Sequence, residues 1–74
     1  MDRENFRATA LQDTRKKIRD LKEFNIPVIL KTIEQYEQAG VEESFLEQQK
    51  NLLDKVYTRL RELEDKEQRL LEQI

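Results

Sequence analysis

Leu46, Leu53, Leu60, Glu67 and Ile74 recur every seven residues, and Gln49, Val56, Leu63 and Leu70 follow the first four of them by three. This alternation of three and four is the a/d pattern of a coiled coil. It returns side chains to one stripe of an α-helix and does not fit a strand, whose faces alternate every two residues. Residues 46–74 of the 74-residue chain are thereby committed to one long helix with a partner along its length. Phe45, Leu52, Tyr57 and Leu71 widen the stripe beyond a and d. A seam that wide serves more than one neighbouring helix, because a two-stranded coil needs only the two central positions.

The rest of the composition agrees with helix. One Gly and one Pro give the chain few places to turn, while Glu, Gln, Leu, Lys and Arg, all good helix formers, dominate. We expect an all-α fold and a single domain over residues 1–74. The chain has neither Cys nor His. That excludes the usual zinc sites, disulfides, and Ser-His or Cys-His nucleophile pairs. No apolar run approaches the roughly 20 residues of a membrane span, and no secretory signal pattern is present, so the expected location is cytoplasmic.

Upstream of the heptads lies a second amphipathic stretch. At about 100° per residue, Ala10, Leu11, Thr14, Ile18, Leu21, Asn25, Ile26, Val28, Ile29, Thr32, Ile33, Tyr36 and Ala39 share an arc of roughly 160°. Phe6, Phe24 and Leu30 flank it. Asp2 suits the N-cap of this helix. The stripe continues across Pro27, which points away from it, so the expectation is one helix over about 2–39, kinked at Pro27. The alternative is a break, with Asn25 capping a second helix. Gln38-Ala39-Gly40-Val41 is the strong stop signal, since Gly40 can adopt the left-handed conformation that closes a Schellman motif. Ser44-Phe45-Leu46-Glu47 reads as a capping box, with the alternative that Glu42 and Glu43 already lie in the first turn of the next helix. The turn is expected at about 40–44 and the second helix over about 42–74.

A connection this short makes the helices antiparallel neighbours, pairing residue i with about residue 80 − i. Ile18 then meets Leu63, Leu21 meets Leu60, Val28 meets Leu52 and Leu53, and Leu11 meets Leu70. The polar interruptions also fall together: Thr32 beside Gln49, and Thr14 or Arg15 beside Glu67. Paired polar groups in a seam fix its register. The expected architecture is therefore an antiparallel helical hairpin. Two helices cover only part of so wide a stripe, and chains this small rarely bury enough apolar surface alone. The economical completion is two hairpins in a four-helix bundle or coiled coil.

Catalysis finds little support, because the many carboxylates fall on solvated helix faces where nothing shifts them toward acid-base work. Metal and cofactor sites are not expected either: the glutamates near the turn lack the oxygen spacing and glycine of a calcium loop. Residues 1–31 carry eight bases and five acids, and residues 32–74 carry six bases and eleven acids. Arg15, Arg19 and Lys22 lie along one helix edge and suit phosphate or anionic headgroups. The plainer reading pairs Lys16 with Asp20 and Arg19 with Glu23 across one helical turn. The modest basic excess disfavours nucleic acid and membrane surfaces as partners.

The expectation is thus a non-enzymatic module for oligomerisation or protein–protein interaction, with itself as partner in a homodimer or higher assembly. Its interface draws on Ile18, Leu21, Ile26, Ile29, Leu30, Ile33, Leu46, Leu52, Leu53, Val56, Leu60, Leu63, Leu70 and Leu71. The alternative is a small adaptor or chaperone that receives an amphipathic helix of another protein, and a nucleic-acid-binding regulator ranks third. Because the seam reaches Ile74 without a cap, the sequence also reads as the N-terminal part of a longer protein.

Overall fold

The computed structural model describes residues 3–73, with side chains from residue 5 onward. The expected cap at Asp2 and the seam position at Ile74 lie outside the described residues. Among those described there are helices and turns and no strand, so the chain is all-α. Helix α1 spans Arg3–Asp20 and passes into a π-helical turn, Leu21–Asn25, which continues as α2, Ile26–Ala39. Helix α3, Glu43–Glu72, packs along both α1 and α2. The whole measures 55 × 16 × 16 Å.

Gly40 makes the reversal. Its backbone is left-handed, with φ 67° and ψ 34°. Its N–H donates to the Glu37 carbonyl at 3.4 Å and the Val41 N–H donates to the Tyr36 carbonyl at 3.3 Å. Those two bonds are the Schellman pair, and they satisfy carbonyls that the end of α2 leaves free. A Cβ on Gly40 would meet nothing within 4 Å. Glycine is therefore required by the backbone angle, which costs an L-residue about 1–2 kcal/mol, and not by lack of room.

The next helix starts earlier than its capping box predicts. Helix α3 begins at Glu43, preceded by extended Glu42 (φ −56°, ψ 143°) with no side-chain cap bond. The Phe45 N–H donates to the Glu42 carbonyl at 3.0 Å. Ser44 thus sits inside the first turn, and the expected Ser44–Glu47 box is not formed. The Schellman turn is complete at Val41, so a single extended residue suffices to redirect the chain. Glu43 then lies in the first turn, where the helix dipole favours a carboxylate.

On α3 the less exposed residues are Leu46, Gln49, Leu53, Val56, Leu60, Leu63, Glu67 and Leu70, joined only by Glu64. These are the a and d positions of the heptads. On the other arm Arg7, Leu11, Thr14, Ile18 and Leu21 are buried or half-buried, and so are Ile26, Ile29, Ile33 and Tyr36. Ile18, Ile26, Leu60 and Leu63 form the central buried cluster, with Leu21, Leu53 and Val56 packed on it.

The spacing along this first arm explains the π turn. Steps of four and three run from Arg7 to Leu21 and resume from Ile26 to Tyr36, but Leu21 to Ile26 is a step of five. A uniform α-helix would carry the seam from Leu21 to Asn25, Val28, Thr32 and Gln35. The π turn absorbs one residue and brings in Ile26, Ile29 and Ile33 instead, each worth about 1.5–3 kcal/mol when buried. The Ile26 N–H accordingly donates to the carbonyl five residues back, at Leu21. Pro27 lies in the first turn of α2 and is exposed. It lacks the N–H that a straight helix would need there, so proline and register shift share one disruption. Asn25 is helical (φ −65°, ψ −51°) and makes no side-chain cap bond, so it does not cap a separate helix. The distortion expected at Pro27 is thus a π turn just before it.

If the π turn exists to absorb one residue, removing that residue should be tolerated. Deleting Asn25 together with Pro27→Ala should give a helical protein that melts at or above the temperature of the parent, by circular dichroism. Deleting Lys17 in the same Pro27→Ala background should destroy the cooperative transition. Loss of folding in both deletions would contradict this account of the register.

Candidate interaction surface

The sequence-predicted residues separate into three groups. Ile18, Ile26, Ile29, Ile33, Leu60 and Leu63 are buried, and Leu21, Leu46, Leu53, Val56 and Leu70 are half-buried, so these build the seam between the arms. Leu30, Leu52 and Leu71 remain exposed. Arg15, Arg19 and Lys22, the candidate anion contacts, are also on the surface.

Two of those three cations are engaged across the arms. Arg15 Nε donates to Glu67 Oε2 at 3.0 Å, and the Glu67 side chain is only 25% exposed. Lys22 Nζ lies 3.5 Å from Glu64 Oε2. The expected partner of Glu67 is therefore Arg15. Thr14, 2% exposed, instead donates its hydroxyl to the Ala10 carbonyl at 2.8 Å. Thr32 behaves the same way, donating to the Val28 carbonyl at 2.9 Å. A threonine on a helix reaches its own preceding turn more readily than a partner across a seam. Neither Lys16–Asp20 nor Arg19–Glu23 is among the ion pairs of the described residues, which are the two above and Arg59–Glu62 at 3.3 Å. Base-before-acid is the weaker order for such pairs on a helix, and Glu23 also lies within the π turn.

Arg7 is a contact that the sequence reading missed. Its Nη1 donates to the Gln73 carbonyl at 2.8 Å and ties the free end of α1 to the last turn of α3. The signal that could have found it was its place four residues before Leu11, in step with the seam and level with residue 73.

Beyond the seam, four large exposed apolar residues, Phe24, Val28, Phe45 and Leu52, lie on one flank. Phe24, Asn25, Val28 and Leu52 border an open groove of about 350 Å³ floored by Ile29 and Val56. Phe24 is 61% exposed, Val28 62% and Leu52 43%. Phe45, 50% exposed, precedes Leu52 by seven residues and so lies on the same flank, nearer the turn. Thr32, Gln35 and Gln48 fall on this flank by the same spacing, which leaves it free of charge between Val28 and the turn. Further from the turn, Lys17, Asp20 and Arg59 surround a smaller depression over Leu21 and Leu63. The opposite flank carries the Arg15–Glu67 and Lys22–Glu64 pairs, with Tyr57 and Leu71 spaced seven residues on either side of Glu64. Val28 was expected in the seam against Leu52 and Leu53. The register shift at the π turn moves it out onto this flank, where it borders the groove with Leu52.

No group of three or more metal-ligating side chains converges among the described residues, and no helix among them is long and apolar enough to cross a membrane. Comparison with protein-family models, with curated proteins and with solved structures finds no match.

The Arg15–Glu67 contact yields a quantitative expectation. In a double-mutant cycle by urea denaturation, Arg15→Ala and Glu67→Leu should couple by about 0.5–1 kcal/mol, the scale of a partly shielded ion pair. Glu67→Leu alone should stabilise by about 1–2 kcal/mol, since leucine removes a carboxylate from a half-buried seam position and adds apolar burial. Strict additivity of the two changes would place Glu67 outside the seam.

Proposed function

We propose that the chain is a non-enzymatic, self-associating helical hairpin that works as an oligomerisation or protein-interaction module, pairing with a second copy toward a four-helix bundle. The observation that carries this reading is the apolar flank of Phe24, Val28, Phe45 and Leu52, which is free of charge from Val28 to the turn. Apolar side chains so grouped, on a chain rich in charge elsewhere, are what a partner surface requires.

The total surface supports the same reading. The chain exposes 6022 Å². A compact monomer of its mass would expose about 4,900 Å². The excess is comparable with the roughly 800 Å² that each partner contributes to a standard interface. A rod one helix pair thick cannot avoid such an excess alone, whereas a second rod laid on it can remove most of it. The anion-binding reading is weaker, because Arg15 and Lys22 already have carboxylate partners.

Light scattering behind a sizing column tests this directly. At micromolar concentration the purified chain should have the mass of two or more protomers. A stable, cooperatively melting monomer would contradict self-association and favour an adaptor whose groove receives an amphipathic helix from another protein.

A further inference from the structure

We infer that Gly40 selects between two arrangements of one seam: the closed hairpin, and a pair of chains that have exchanged arms. In the second, each chain runs as one helix through the turn and packs its first arm on α3 of the other copy. Exchange uses the seam alone and is independent of pairing through the apolar flank, which leaves each hairpin intact.

What holds the arms together does not depend on their being connected. The central cluster of Ile18, Ile26, Leu60 and Leu63, the Arg15–Glu67 and Lys22–Glu64 pairs and the Arg7–Gln73 bond all link one arm to the other, away from the turn. Two opened chains related by a twofold axis at the turn can make each of these contacts between copies. The turn itself is lightly held. From Glu37 to Phe45 only Val41 is even half-buried. The bonds there are backbone ones, from the N–H groups of Gly40, Val41 and Phe45 to the carbonyls of Glu37, Tyr36 and Glu42. Glu42 gives α3 no side-chain cap.

The seam can also continue through the turn. Tyr36 and Leu46, its last positions on either side, are ten residues apart, one heptad plus three. An insertion of three in a heptad pattern overwinds a coiled coil locally without ending it. Between them Glu37, Gln38, Ala39, Glu42 and Glu43 are good helix formers, and Gly40 is the poor one. Glycine therefore acts twice: it accepts the left-handed backbone of the closed turn, φ 67°, and it weakens the continuous helix. Alanine reverses both preferences. The acidic turn also favours closure. Glu34, Glu37, Glu42, Glu43 and Glu47 have no base among them, and exchange lays two such segments side by side.

Because the chain has no cysteine, Thr9→Cys and Gln68→Cys, both at exposed positions, place one pair of spin labels on each chain. Labelled chains are refolded alone and with an excess of unlabelled ones, and read by double electron–electron resonance. The labels lie about 20–30 Å apart in the closed hairpin and about 90 Å apart along one continuous helix. The parent should keep the short distance in both samples. Gly40→Ala should show it undiluted, where it arises between chains, and lose most of it on dilution, with helical circular dichroism unchanged. A short distance that survives dilution in Gly40→Ala would overturn the selection by Gly40, and so would loss of its helical signal or of the undiluted short distance. Loss on dilution in the parent would mean that the arms exchange with glycine in place, which equally removes its role. Association of intact hairpins through the apolar flank changes none of these within-chain distances, so the self-association reading and this one fail separately.

Discussion

The step of five residues from Leu21 to Ile26 governs the rest of the structure. Everywhere else along the seam, the inward-facing side chains follow one another by three or four, and the chain is α-helical. At this step a regular helix and a continuous seam cannot both be kept. Three isoleucines lie on one side of the conflict and one turn of regular hydrogen bonding on the other. Because Pro27 already denies that turn one of its donors, the hydrogen-bonding side is the weaker, and the π turn results. The register that follows decides which residues face α3 and which face outward.

Much of this was legible in the sequence, for identifiable reasons. The heptads of α3 keep an unbroken period, so each a and d position among the described residues is one that the structure buries or half-buries. Gly40 is the single glycine, and its place after Ala39 admits few conformations other than the left-handed cap. Arg15 could be matched to Glu67 because the turn fixes the pairing of residues far from it. The π turn was not legible, since at a uniform 100° per residue both Ile26–Ile29–Ile33 and Asn25–Val28–Thr32 fall inside the same wide arc. A periodicity argument assumes the twist that this segment abandons. The Ser44–Glu47 box failed for a different reason: a short motif competes with the geometry of the preceding turn, and the turn leaves the chain ready for helix two residues sooner.

The outward consequences of the register bear on function. Val28 is moved out of the seam, beside Phe24 and opposite Leu52, and the three give the rod an apolar flank that continues without charge from Val28 to the turn. The other flank is interrupted by ion pairs that close between the two arms. The proposed self-association would use that apolar side. The pairing within the chain and the proposed pairing between chains thus depend on the same five-residue step.

Methyl nuclear Overhauser effects within one protomer test that step most directly. The account predicts that the methyl groups of Ile26, Ile29 and Ile33 connect to a and d residues of α3, with Ile26 reaching Leu60 and its neighbours, while Val28 connects only to the edge at Leu52. Contacts from Val28 to Leu53 and Val56, with Ile29 and Ile33 showing none to α3, would mean that the first arm runs as a regular helix through Leu21–Asn25, and the account of the register would be wrong.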